Sequence, residues 1–474
     1  MSQPQPDGDT PPTHTINLSH PPTTRYTQLA SLYRPQLQSI TTIFDDLVLQ
    51  FLPASYLPWI KSLARIFLRG VRDAEETAEM RGIAAAAGVD LYLVVCLNVA
   101  LDLLMGCTSG GVLARFPTGD DGDGDGDGLE GKRMLHFRTL DWDMPALRRL
   151  LVKLEYVDGD NSTVLATNIT YVGFVGVLTG VRKGLSVSLN FRPNHDSSSW
   201  VKQARYYGRH LLVLLGFKKS IASTLREVII PSKPAISHSW LGWLWPGKGK
   251  AQPPNQLSLS DTVTRILQTP STACYLILSD GHRTYVLEKD YRTTTTESSS
   301  SFIVATNSDR GTDIPQSNDP FARQGHTGAS LTAGEDVNLV DFIKDSIERR
   351  ACMQSHWDMK VASARQAARR ASLDEFDALV RRDPLRWTRS SRRDVTAASA
   401  SASSSTAVAP LAITTSDNKV TATLDEVVTW TTRYPTTNEM THFATVMDPA
   451  RGTVAWIRRY PEPLECDWET TDFD

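Results

Sequence analysis

The sequence predicts an α+β fold in which a helical leader precedes many antiparallel strands. Two observations carry that prediction. From about Tyr26 to Met105 the apolar residues recur mostly at three- and four-residue spacing, the period of a helix with one buried face. After Cys107 the chain changes to short runs rich in Val, Thr, Leu and aromatic residues, bounded by Gly, Asp, Asn and Pro, which is the pattern of strands and hairpins.

Residues 1–24, opening "MSQPQPDGDTPPTH", are polar and Pro-rich and read as a disordered lead-in. Residues 25–106 form the helical segment. "TQLASLYRPQLQSITTIFDDLVLQFL" has helical spacing interrupted at Pro35, whose ring and missing N–H break a helix interior. "RDAEETAEMRGIAAAAG" is a charged, then Ala-rich helix stopped by Gly88. Asp90 can cap the next helix, which delivers the chain to Gly106. Beyond it, "TSGGVLARF" and "KRMLHFRTLDW" flank the acidic repeat "GDDGDGDGDGLEGK" as the arms of a hairpin with a long solvated loop. Strands follow in "LVKLEYV", "STVLATNITYVGFVGVLTGV", "GLSVSLNFRP", "ACYLILSDGHRTYVLEKD" and "SFIVATNSD". Polar or low-complexity insertions fall at about 231–256, 308–336 and 389–408. The tail returns to order with a helix, "LDEVVTW", and a hairpin, "MTHFATVMDPARGTVAWIRRY". No internal repeat is present.

Composition narrows the function classes. The chain has 474 residues, is 41% hydrophobic and carries a formal net charge of -3. That suits a globular protein with a substantial core and gives no basic field for nucleic acid. Its five cysteines, Cys96, Cys107, Cys274, Cys352 and Cys466, are scattered with neither disulfide-scaffold nor zinc spacing. The N-terminus has no apolar signal core, and no run offers the roughly 18 uncharged apolar residues of a membrane span. The longest, "GVDLYLVVCLNVALDLLMG", contains Asp90 and Asp102 and reads as a buried helix. Compartment therefore stays open, and sequons at Asn17, Asn161 and Asn168 add little without a secretory signal.

Two motifs fail on their chemistry. Counted as a calcium loop, the acidic repeat places Lys132 where a bidentate Glu belongs. "GWLWPGKG" ends in Gly249 where a phosphate loop needs Ser or Thr, and Pro246 interrupts it. Trp240, Trp243 and Trp245 in that stretch form either a lipid-facing lip or a surface loop packed on the core. The lip would give peripheral membrane contact.

Cys107 sits where helix gives way to strand. A free cysteine is most simply a small buried hydrophobe. If the Gly106–Cys107 bond were cut, however, the Cys107 α-amine, with an ordinary pKa near 8, would be available as base for its own thiol. One residue would then supply both nucleophile and base.

Cys107 followed by "HFRTLDWD", "YVGFVGVLTGVRKGLSVSLN" and "VATNSDR" resembles the family of acid ceramidase and N-acylethanolamine-hydrolysing acid amidase. "INLSHPPTTRY" is similar to the start of the family's mature N-terminal segment. The resemblance implies an N-terminal-nucleophile hydrolase with a four-layer αββα sandwich, made as a precursor and cut before the cysteine. Its two fragments, an α chain ending at 106 and a catalytic β chain of 107–474, would stay associated. The resemblance also implies the site: Cys107 as nucleophile, Arg138 beside it, Asp141 holding the new amine, Asn307 in the oxyanion hole, and Arg349, with Arg350 as a rival, as a later arginine. No metal or organic cofactor is implied, and a lysosome- or vacuole-like compartment is. One departure is Asn190-Phe191, where the family has an Asn-Glu pair whose Glu assists self-cleavage. The expected activity is hydrolysis of the amide of ceramide. The alternatives are an N-acylethanolamine or other N-acyl amide, and an inactive lipid-binding relative.

Overall fold

Two β-sheets stacked face to face, with helices on both outer faces, make up the body of the protein. The computed structural model describes residues 9–39, 53–100, 106–116, 131–142, 144–160, 162–195, 198–231, 257–310, 339–382 and 420–464, with isolated positions between 40 and 52. The acidic repeat, Trp240, Trp243, Trp245, the insertions around 231–256 and 389–408 and Cys466 lie wholly or almost wholly outside these residues.

The leader is helical, as its spacing predicts: α1 (Thr27–Leu32), α2 (Arg34–Gln38), α3 (Leu57–Phe67), α4 (Ala74–Ala87) and α5 (Leu91–Ala100). Pro35 stands in the first turn of α2, where its missing N–H costs nothing, so the break between α1 and α2 follows from it. Asp73 caps α4 by accepting from the Glu75 and Glu76 amides, and Gly88 ends it in the left-handed region at φ 69°.

The lead-in reading of residues 1–24 needs correction. β1 (Thr13–Asn17) pairs in parallel with β4 (Leu151–Val157) and forms one edge of the larger sheet. Prolines on both sides hid a five-residue stretch with three β-branched residues, "THTIN", which only an edge strand accommodates next to Pro12.

The larger sheet has eight strands in the order β1-β4-β5-β6-β7-β8-β9-β10. Its remaining members are β5 (Ala166–Tyr171), β6 (Thr179–Arg182), β7 (Leu185–Phe191), β8 (Ser271–Ser279), β9 (Thr284–Tyr291) and β10 (Thr293–Ser299). The smaller sheet runs β11-β2-β3-β12-β13, from β11 (Phe302–Ala305), β2 (Gly106–Arg115), β3 (Lys132–Asp141), β12 (Thr441–Asp448) and β13 (Thr453–Arg459). β2 and β3 pair antiparallel, as the two arms flanking the acidic repeat predict.

A short turn, α6 (Pro145–Arg148), precedes β4. Helices α7 (Trp200–Leu214), α8 (Ile221–Ile229) and α9 (Leu259–Gln268) cover the outer face of the larger sheet. α10 (Leu339–Arg382) and α11 (Leu424–Thr432) cover the outer face of the smaller one. On that side Met353, Trp357 and Trp430 pack on Val112, Leu135 and Phe137. This is the αββα layering, with β2 and β3 at its centre.

Two glycines of β2 stand where a neighbour comes close, Gly110 within its own sheet and Gly111 against the facing one. A Cβ on Gly110 would strike the Ile303 carbonyl, and one on Gly111 the Thr284 hydroxyl of the other sheet. His136 fixes the facing strand, its ring nitrogens 2.8 and 2.9 Å from the hydroxyls of Ser186 and Ser188 on β7.

Candidate functional site

The strand period of two decides which side chains face the gap between the sheets. His136 lies in that gap, so Arg138, two residues on along β3, points the same way. In the β2–β3 ladder Ser109 opposes Arg138, and Cys107, two residues from Ser109, shares its face. Cys107 and Arg138 are both fully buried.

The Arg138 guanidinium donates to the Cys107 thiol at 3.3 Å, to the Leu189 carbonyl at 2.9 Å and to Asn190 Oδ1 at 3.0 Å. Asn190 Oδ1 also accepts from Ser109 at 2.9 Å. The arginine is thus held by β7 and presents one nitrogen to sulfur. Burial, with Asp141 adding to it, pushes the Cys107 thiol up to about 11, while Arg138 and Arg349 act in the opposite sense. The thiol of the continuous chain is therefore protonated near neutral pH.

The backbone nitrogen of Cys107 is held separately. It donates to Asn307 Oδ1 at 2.7 Å, and the Asn307 amide group donates to the Phe191 carbonyl at 2.7 Å. Arg349 Nη2 also donates to Asn307 Oδ1, at 3.2 Å, and Arg349 Nη1 to Asp141 Oδ2 at 2.5 Å. Thr441 donates to the other Asp141 oxygen at 2.7 Å. Burial raises the Asp141 carboxyl above its ordinary range, and Arg349, Thr441 and Arg138 oppose that rise. One turn before Arg349 on α10, Ser346 accepts the Asn307 backbone N–H at 2.7 Å.

All five residues singled out in the sequence therefore meet around the Gly106–Cys107 bond. Arg138 is beside the thiol, and Asn307 is beside the Cys107 nitrogen. Asp141 lies across the ladder from Gly106 rather than bonded to that nitrogen. Asn307 has its oxygen turned to Cys107 and donates one N–H of its side-chain amide to the Phe191 carbonyl, so in the continuous chain it anchors the Cys107 N–H. Of the two rival arginines, Arg349 reaches Asp141 and Asn307, whereas Arg350 donates to the Ser308 and Asp309 carbonyls at 3.0 Å each. Phe191, where a Glu was expected, packs its ring 6.4 Å from that of Phe342.

Sequence reasoning missed Ser109, Ser346 and Thr441, and noted Asn190 only as the neighbour of Phe191. It also missed the support behind Asp141, where Tyr171 donates to His442 at 2.8 Å and His442 donates to the Trp142 carbonyl at 2.9 Å. Small polar residues on alternating strand positions were the available signal.

A family model described as the beta subunit of N-acylethanolamine-hydrolyzing acid amidase matches residues 9–71. Acid ceramidase of Mus musculus is 30% identical over 190 residues, 38% of this chain and 45% of that protein. Acid ceramidase of Bos taurus is 28% identical over 220 residues, 42% of this chain and 51% of that protein. The Homo sapiens protein is 28% identical over 190 residues, with coverage of 38% and 45%. The chain spans about half the length of the curated relatives it matches. Among solved structures, the Caenorhabditis elegans N-acylethanolamine-hydrolyzing acid amidase ortholog is similar with a TM-score of 0.37 at 17% identity, covering 74% of this chain and 99% of that one.

Proposed function

Because the chain belongs to the family of acid ceramidase and N-acylethanolamine-hydrolyzing acid amidase, we propose that it is a lipid amidase with Cys107 as nucleophile, matured by cleavage of its own Gly106–Cys107 bond. The observation that carries this reading is the separate grip on the two halves of Cys107, its sulfur by Arg138 and its nitrogen by Asn307.

In maturation the Cys107 sulfur attacks the Gly106 carbonyl carbon. A C–S bond forms, the C–N bond breaks, and the thiol proton passes to the departing nitrogen, which becomes the Cys107 α-amine. Water then hydrolyses the thioester and frees the Gly106 carboxylate. The new amine keeps Asn307 Oδ1 as its acceptor and sits near the charges of Asp141 and Arg349. A cationic amine next to the thiol favours the thiolate over the protonated form of the uncut chain. In turnover the thiolate attacks the acyl carbonyl, and the amine gives its proton to the leaving amine. Water, deprotonated by the same amine, then releases the fatty acid. Asn307 Nδ2, released from Phe191, would supply an oxyanion donor.

Ceramide is the first substrate, because the curated relatives matched over the longest stretches are acid ceramidases. N-acylethanolamine is the second reading, favoured by the family model that matches residues 9–71. Peripheral contact with a lipid surface is supported by Trp59, Leu63, Ile66 and Phe67, which recur on one side of α3 and are exposed.

The test is release of fatty acid from a ceramide and from an N-acylethanolamide by wild type, Cys107→Ala and Cys107→Ser, with denaturing gels alongside. Cys107→Ala should be one uncut band without activity, and Cys107→Ser slow or uncut. Wild-type activity on ceramide alone selects the first substrate, and activity on the ethanolamide alone the second. An uncut, inactive wild type would favour the lipid-binding reading that Phe191 suggests.

A further inference from the structure

We propose that a cleft between α7 and the strands β8–β10 binds a phosphate-bearing anion, at a site separate from Cys107. The cleft has a volume of about 260 Å³ and is lined by Lys202, Arg205, Arg209 and Arg292, with Asp290 among its walls. It lies toward the helix layer. Cys107 lies in the gap between the sheets, with Asn190 on β7. Tyr275 opposes Asn190 in the β7–β8 ladder and packs on Ile303 of the smaller sheet, so Cys274 and its ladder partner Lys289 face the helices.

Three guanidiniums converge on one ring. The central carbons of Arg205, Arg209 and Arg292 lie 5.3, 5.5 and 5.8 Å from the centroid of Tyr291. Each contact is favourable by itself, but three like charges around one ring repel one another. Among the described residues neither Arg205 nor Arg292 has a carboxylate partner. Tyr291 takes a φ of 53°, a backbone region that side-chain-bearing residues seldom occupy. Such a conformation persists where its surroundings impose it, commonly at a binding site.

Polar groups in the same walls lack partners. Arg209 donates to the Pro270 carbonyl, yet its buried Nε has no acceptor, and the buried Ser271 hydroxyl has none either. Arg209 and Ser271 also line a second cleft of about 260 Å³, which holds Lys289. Lys289 is fully buried with its ammonium on the Ile266 carbonyl at 2.9 Å. The Cys274 thiol and Arg209 bear on its charge, and the carboxylate that lines the same cleft, Glu227, is paired with Lys219 at 2.5 Å. A buried ammonium and a buried guanidinium N–H without anions are costly arrangements. An anion in the first cleft relieves Arg209, which lines both clefts, and places a negative charge on the Arg209 side of Lys289, which lines the second. Planar guanidinium forks match the oxygens of phosphate, and the volume leaves room for the group the phosphate esterifies.

The test uses the full-length protein with two probes. Inorganic phosphate is compared with chloride at matched ionic strength by thermal melting and titration calorimetry. Phosphatidylcholine vesicles with and without phosphatidic acid are compared by co-sedimentation. Wild type should bind at least one phosphate probe, and the Arg205→Gln/Arg292→Gln double variant should lose roughly tenfold or more in affinity while keeping its fold and any amide hydrolysis. Lys289→Met should melt no lower than wild type without phosphate and gain less from it. A response to soluble phosphate assigns a free phosphate compound, and a response to phosphatidic acid alone assigns a lipid head group. Phosphate no better than chloride together with phosphatidic acid no better than phosphatidylcholine, or variants that bind as wild type, would overturn the site.

Discussion

At the scale of single residues, Asn307 joins the most roles. Its Oδ1 receives the Cys107 nitrogen and an Arg349 nitrogen, and its backbone rests on Ser346. Asn307→Ala should therefore fold but mature slowly, and its matured fraction should lose roughly two to three powers of ten in kcat, the usual effect of one oxyanion donor. Measuring kcat against the amount of cut protein separates the two effects, and wild-type values for both would remove Asn307 from the site. The five residues were legible in the sequence because they fall in short strings, "FRTLD" and "TNSD" among them, whose order along the chain resembles the family. Their partners were not legible. Thr441 reaches Asp141 from 300 residues away in sequence, and Asn190 meets Arg138 across 52. Such contacts arise only when sheets pair and stack, and a lone Thr or Asn leaves no periodic trace.

At the scale of elements, the site depends on how near β2 can come to the facing sheet. Gly111→Ala places a methyl against the Thr284 side chain. Overpacking of this kind typically costs about 1–3 kcal/mol, so the variant should melt lower and cleave its own chain more slowly. Adding Thr284→Ala should restore part of both losses. Independent effects of the two substitutions in a double-mutant cycle would show that they do not meet. Local signals were readable at this scale, since Pro35 and Gly88 act on their own turns. β1 and β10 were not readable. "THTIN" and "TTTTESS" bury little and are strands because a neighbour offers hydrogen bonds. The charged helix α10 covers the smaller sheet without a strong apolar period, which left residues 339–382 unassigned in the sequence reading.

At the scale of the whole molecule, buried charge ties the leader to the body. Glu79, fully buried on α4, receives Arg25 from the leader and Arg226 from α8, and Glu76 beside it accepts from Ser223. The contacts of Arg226 and Ser223 span the two sides of the proposed cut and support fragments that remain together. They also give stability a pH dependence. Burial raises the Glu76 carboxyl to about 7, so its contribution is full below the unfolded value near 4.5 and is lost as pH rises toward 7. His136 and His442 are pushed down to about 3 by burial, so theirs is full above 6.5 and is lost as pH falls toward 3. Melting temperature should therefore fall below pH 6.5, and Glu76→Gln should melt higher than wild type at pH 8 but not at pH 4. A melting profile flat from pH 4 to 8 in both proteins would contradict these environments. The most direct test of the central claim is the intact mass of purified, catalytically active protein. Self-cleavage before Cys107 gives two masses, for residues 1–106 and 107–474, with Cys107 at the N-terminus of the larger. Full amidase activity in protein whose Gly106–Cys107 bond is intact would contradict it.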